Sequence, residues 1–268
     1  MKKQALLLLV AIQFLTRLPV PHLDGFQNSW LSESARYFPM VGALVGAIGV
    51  GVWWLSAIFF PPAVAIGLMM SATLLLTGAL HEDGFADVCD GFGGGRTRDA
   101  VLAIMKDSRV GAYGAMGVAM MLGLKWAVLV SLPHATLPVV VVGAHIVSRW
   151  CAIGLVWRMQ YVRTDADAKS KPLADSMGGW NWLLSGALGT IALLPALPFI
   201  DPAARFPWVL VLLAALAFSL VATLLTAAYF RYRIGGYTGD CLGAAQQLSE
   251  LSFLLATLGV STAIHPNG

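Results

Sequence analysis

Seven stretches of this chain stay apolar for about 20 residues each: roughly 39 to 60, 63 to 80, 110 to 131, 137 to 157, 181 to 200, 207 to 229 and 242 to 262. That length matches the hydrocarbon core of a bilayer, where every backbone N–H and C=O must be bonded within its own helix. The sequence therefore predicts an all-α fold: a polytopic integral membrane helical bundle of about seven transmembrane helices, forming one domain over residues 1–268. Composition agrees, since 58% of residues are hydrophobic and only 12% charged, against ~45–50% and ~25% in soluble domains. The first apolar core, Ala5 to Leu15, is too short to cross and no small-x-small cleavage site follows it. It reads as a retained N-terminal interfacial or re-entrant helix.

Charge orders the connections. Pro61-Pro62, Pro133 and Asp201-Pro202 mark three short turns, while 17–38, 81–109, 158–180 and 230–241 are longer and polar. Lys2, Lys3, Arg17, Arg36, Arg96, Arg98, Lys106, Arg109, Arg158, Arg163, Lys169, Lys171, Arg231 and Arg233 all fall on the longer-loop side, and only Arg205 falls on the other. The positive-inside rule puts the long loops in the cytoplasm, so the reactive groups are expected to face that compartment or its leaflet. A net charge of +3 gives no reason to invoke nucleic acid. Cys89, Cys151 and Cys241 have no metal-binding or disulfide spacing and read as spectator thiols.

The most polar stretch, HEDGFADVCDGFGGG at 81–95, follows directly on an apolar block. On a helix continuing inward from the 63–80 span, Asp83, Asp87 and Asp90 lie within about 60° of one another, and Glu82 about 100° off that face. Carboxylates on one stripe repel and ask for a counter-charge. All-oxygen donors suit a hard cation, with Mg²⁺ the default and Mn²⁺ the alternative. Gly93, Gly94 and Gly95 allow close backbone approach, and Arg96 and Arg98 beyond them suit phosphate oxygens. The same acids also fit a solvated helix end paired with Arg96, Arg98 or Lys106.

Two further elements are candidates for the same site. In KDSRVGAYG, residues 106–114, Asp107 is placed to complete a metal shell and Arg109 or Lys106 to neutralise a phosphate. In FRYRIGGYTGDCLGA, residues 230–244, a helix opens at Thr238, Gly239 and Asp240, with free N–H groups for an anion; Asp240 also fits a plain N-cap. The 158–180 loop is a solvated loop or a nucleotide-contacting flap. Within the spans, Lys125, His145, Arg149, Gln246, Gln247 and Glu250 need partners. Glu250 is expected to pair with Lys125, His145 to pack, and Arg149 to reach up toward the site.

Taken together, FLTRLPVP near the start, SARYFPMVGALVG at 34–46, the 81–95 and 106–114 motifs, SRW at 148–150, YVR at 161–163 and GGYTGDCLGA at 235–244 resemble the bacterial cobalamin synthase (adenosylcobinamide-GDP ribazoletransferase) family. The resemblance implies a multi-pass enzyme of the inner membrane, Mg²⁺-dependent, with its active site facing the cytoplasm. Such enzymes join adenosylcobinamide-GDP to α-ribazole or α-ribazole 5'-phosphate and release GMP. On that reading Asp83, Asp87 and Asp90, with Glu82, hold the metal, and Asp107 and Asp240 are candidate general bases. Arg96, Arg109 and Arg149, with Gly93, Gly94 and Gly239, hold the diphosphate. The partners are the two substrates and membrane lipid, with a homo-oligomer left open.

The core D-x-x-D-G, Asp87 to Gly91, also looks like part of the CDP-alcohol phosphotransferase signature, but the following A-R and the second D-x-x-x-D half are missing. A cation-coupled transporter is the non-enzyme alternative, disfavoured by the edge position of the acids and by the lack of a visible internal repeat.

Overall fold

Every apolar block is helical in the computed structural model, which describes residues 2–23, 25, 27–163, 177–200 and 205–264. Lys169 and Lys171 of the candidate flap and the Asp201-Pro202 turn lie outside the described residues. In chain order the helices are α1 (Lys2–Leu15), α2 (Asn28–Ser34), α3 (Phe38–Ala57), α4 (Pro62–Thr77), α5 (Leu80–Gly94), α6 (Arg98–Ile104), α7 (Ala112–Ser131), α8 (Leu137–Arg158), α9 (Gly179–Leu193), α10 (Arg205–Ile234) and α11 (Gly239–Ile264). Among the described residues six helical segments are long and apolar enough to cross a membrane, or seven when α4 is counted with its bent partner. The chain is thus a multi-pass helical bundle. As its length requires, α1 is a short apolar helix, and it tucks Leu7, Val10, Ala11 and Leu15 inside.

Helix α8 is the hub, buried along most of its length and packed against α3, α9 and α11. Helix α10 turns Leu213, Phe218, Val221, Leu224 and Leu225 outward, an apolar face suited to lipid tails. The glycines of α3 allow close contact: a Cβ on Gly46 would come within 2.8 Å of the Val142 backbone on α8.

One expectation is corrected. The acidic stretch does not continue the preceding span, because the chain breaks at Gly78 (φ 63°) and Ala79 (φ 55°). Two successive left-handed residues cannot extend a right-handed helix. Helix α5 leaves α4 at 88°. It therefore turns away from the axis of α4 and runs across the N-terminal ends of α7 and α11, against both of which it packs.

Candidate active site

Three anchors hold the acidic helix. Asp90 near its end is buried, and its carboxylate accepts the N–H groups of Gly111 and Gly114, each at 2.8 Å. Those are free donors of the first turn of α7, so one side chain satisfies two of them and the helix dipole favours its charge. A Cβ at Gly111 would lie 2.5 Å from the same carboxylate, so the G-x-x-G spacing after Arg109 makes room for Asp90. On α10, Arg233 donates to the carbonyls of Phe92 at 3.1 Å and Gly95 at 2.6 Å, capping the C-terminal end of α5. At the third anchor Gly84 crosses α11 so closely that a Cβ there would sit 2.9 Å from Asp240 Cα.

That crossing brings Asp83 and Asp87 together with Asp240. Asp87 is half-buried, with the negative charges of Asp240 and Asp83 and the cation of Arg163 all near enough to act on it. Asp240 is engaged from the far side: Arg163 Nη2 donates to Asp240 Oδ2 at 2.8 Å and to the Met105 carbonyl at 3.0 Å. Arg163 gets there because the chain after α8 pairs with the turn before α11. Val162 N–H donates to the Tyr237 carbonyl and Tyr237 N–H to the Gln160 carbonyl, each at 3.0 Å. The YVR and GGYTGD motifs are therefore one structural unit. In sequence Arg163 is one cation of a polar loop; its place at the end of the YVR motif is the signal that marks it.

Several candidates stand apart from this cluster. Glu82 turns to the other side of α5, where its Oε1 accepts from Gln247 Nε2 at 2.9 Å. Asp107 and Arg109 are spent on each other, Arg109 Nη2 lying 2.5 Å from Asp107 Oδ2 in an exposed turn, and those hydrogen bonds hold the Asp107 carboxyl down to about 2. Arg96 is exposed. Arg98 donates to the Ile234 carbonyl at 2.9 Å. Gly93 lies under the ring of Tyr113, Gly94 ends α5, and Gly239 opens α11. Arg149 is 2% exposed and bonded to the His145 carbonyl at 3.0 Å, deep on α8 rather than at the cluster. Among the described residues no three His, Cys, Asp or Glu side chains already stand close enough to hold a metal ion.

Below α5 the in-span polar residues partner one another. Lys125 pairs with Glu250 at 2.7 Å, as the sequence leads one to expect. Gln246 donates to Ser148 Oγ at 2.9 Å, and Gln247 joins Gln246 at 2.8 Å. All three cysteines are free thiols.

The family model described as cobalamin-5-phosphate synthase matches residues 7–258. The chain belongs to this family. Among its relatives, a protein of Leptothrix cholodnii is 42% identical over 258 residues, 95% of this chain and 96% of the relative. One of Ralstonia pickettii is 44% identical over 253 residues, 92% and 93% of the two chains. One of Shewanella frigidimarina is 42% identical over 262 residues, 96% of each. All three are named adenosylcobinamide-GDP ribazoletransferase. No solved structure matches the chain. Family membership spans every element described above, from α1 to α11, so the aspartate cluster belongs to the part of the chain that is shared.

Proposed function

We propose that this chain joins adenosylcobinamide-GDP to α-ribazole or α-ribazole 5'-phosphate, releasing GMP, at a Mg²⁺ site formed where α5 crosses α11. The carrying observation is the convergence of Asp83, Asp87 and Asp240, with Arg163 at its edge. Carboxylate oxygens are the donors a hard cation prefers, and Mg²⁺ needs only one or two of them beside substrate phosphate oxygens and water. The setting of Asp87 supports the same reading, because a half-buried carboxylate beside two others gains most from a cation.

The bound ion would neutralise charge on the diphosphate and on the departing GMP. The chain's own groups do the rest. Asp83 and Asp87 hold the ion's face of the site, and Arg163 offers a fixed cation for a phosphate oxygen while it orients Asp240. Arg163 and Thr238 both take Asp240 Oδ2, leaving Oδ1 without a hydrogen bond among the described residues. That oxygen is our choice for accepting the proton of the attacking ribazole hydroxyl. Asp107, held at about 2 by Arg109, is a poor base. Asp90 and Glu82 act as supports of the helix.

The positive-inside pattern favours a cytoplasmic site in the inner membrane. A transport reading loses ground because the ionisable groups at depth are bonded to one another. The test is GMP release by purified protein in lipid nanodiscs. Release is expected only with Mg²⁺ and α-ribazole both present, and is abolished in Asp83→Ala and Asp87→Ala proteins that still insert. Turnover without a divalent cation, or normal turnover by both variants, overturns the metal site. No release under any of these conditions overturns the reaction.

A further inference from the structure

Beneath α5 a cavity of about 50 Å³ opens between α4, α5, α7, α8 and α11. Its polar wall includes Glu82, Lys125, His145, Arg149, Gln247 and Glu250. Two of these side chains carry a buried atom with no hydrogen-bond partner among the described residues: Arg149 Nε, a donor, and Glu82 Oε2, an acceptor. Lys125 and Glu250, in contrast, are bonded to each other.

The charge and the size of the chamber together select its occupant. Two cations, Lys125 and Arg149, face two carboxylates, Glu82 and Glu250, so an ion of either sign gains little by entering. The unmet needs are one hydrogen-bond acceptor for Arg149 and one donor for Glu82. A neutral molecule with both functions meets them. The volume has room for several water molecules at the ~10–15 Å³ each one needs. Buried polar atoms left unpaired in a low-dielectric interior are costly, and ordered water is the usual remedy.

We infer that this chamber is a built hydration site, in which water accepts from Arg149 Nε–H and donates to Glu82 Oε2. The water joins the first turn of the acidic helix to α8, two elements otherwise linked here through the glutamines of α11. Arg149 thereby supports the helix that carries Asp83 from below rather than touching a substrate.

The experiment is radiolytic labelling of the full-length protein in nanodiscs, in which an X-ray pulse turns bound water into hydroxyl radicals that oxidise the side chains beside it. Met69 lines the chamber, Met121 does not, and each is 2% exposed. Met69 is expected to oxidise several-fold faster than Met121, and equal rates overturn the proposal. In a Glu82→Leu, Arg149→Met double variant the Met69 rate is expected to fall to that of Met121. An unchanged Met69 rate in a folded double variant also overturns it, because the water would then not depend on these two groups. The wild-type comparison stands even if the double variant does not fold. The readout is oxidation rather than turnover, so its failure is distinct from any failure of the proposed reaction.

Discussion

Arg163 donates a hydrogen bond of 2.8 Å to Asp240 Oδ2, joining residues 77 positions apart. The bond places a guanidinium at the edge of a carboxylate cluster that would otherwise be purely repulsive. Arg163→Ala is expected to lower kcat/KM by about 10²–10³-fold, the range seen when a fixed donor to a developing anion is removed. Arg163→Lys should recover only part of the loss, since an ammonium cannot reproduce two oriented bonds. GMP release at saturating Mg²⁺ measures both, and wild-type rates from the alanine variant would remove Arg163 from the site.

Asp90 shares a helical face with Asp83 and Asp87, yet its two oxygens hold the first turn of α7. Asp90→Asn is expected to cost stability, about 1–3 kcal/mol for leaving a buried donor poorly paired. The Mg²⁺ concentration for half-maximal rate should stay unchanged, whereas Asp87→Asn should raise it or abolish turnover. Thermal unfolding and a Mg²⁺ titration of the two variants separate these roles. A large shift in the Mg²⁺ requirement of Asp90→Asn would make it a ligand after all.

Gly84 and Gly94 both sit on α5 but answer to different neighbours. A Cβ on Gly84 would press on Asp240 backbone at 2.9 Å, while one on Gly94 would meet only the end of the Ile104 side chain at 3.3 Å. Gly84→Ala is therefore expected to push α5 off α11 and suppress activity at least tenfold, by misplacing reacting groups. Gly94→Ala should retain near-normal rates. Similar activities for the two would show that the α5–α11 crossing does not set the geometry of the aspartates.

Much of this was legible in sequence, for physical reasons. A 20-residue apolar run has few alternatives in lipid, so the spans and the Lys125–Glu250 pair follow from hydropathy and from the cost of a lone charge. The common face of Asp83, Asp87 and Asp90 follows from helical period, and so does the offset of Glu82 from that face, although the resemblance had still placed Glu82 among the metal-holding residues. What periodicity does not carry is direction. The left-handed pair Gly78–Ala79 turns the acidic helix through 88°, and Ala79 carries no local signal for it. Nor does spacing show that Asp90 meets the G-x-x-G of α7, that Asp107 is consumed by Arg109, or that Arg149 lies deep beneath the cluster. Those depend on which helix ends meet in space.

Asp107 is exposed and its carboxyl is held down to about 2 by the hydrogen bonds from Arg109. A depressed carboxylate keeps its charge, and its pair, at all pH values above that point and loses them only as pH falls through it. Asp107→Asn should therefore leave the pH dependence of kcat unchanged between about pH 5 and 9, where catalytic groups titrate. Loss of one limb of the profile in this variant would return Asp107 to the role of general base.

Lys125 and Glu250 form their 2.7 Å pair with side chains only 5% and 9% exposed, within the bundle. Removing Lys125 takes away the nearest counter-charge of Glu250 and leaves it only the more distant His145 Nδ1 at 3.4 Å, so Lys125→Met is expected to destabilise by about 3–5 kcal/mol. Removing both should be far milder: in Lys125→Met, Glu250→Leu no uncompensated charge remains, and Gln246 and Ser148 still bond each other at 2.9 Å. The double variant should thus be more stable than Lys125→Met alone, although it carries one more substitution. A double-mutant cycle on thermal unfolding in nanodiscs gives the coupling directly. Simple additivity of the two single losses would mean that the pair is not electrostatically coupled, and that the polar residues at this depth serve packing alone.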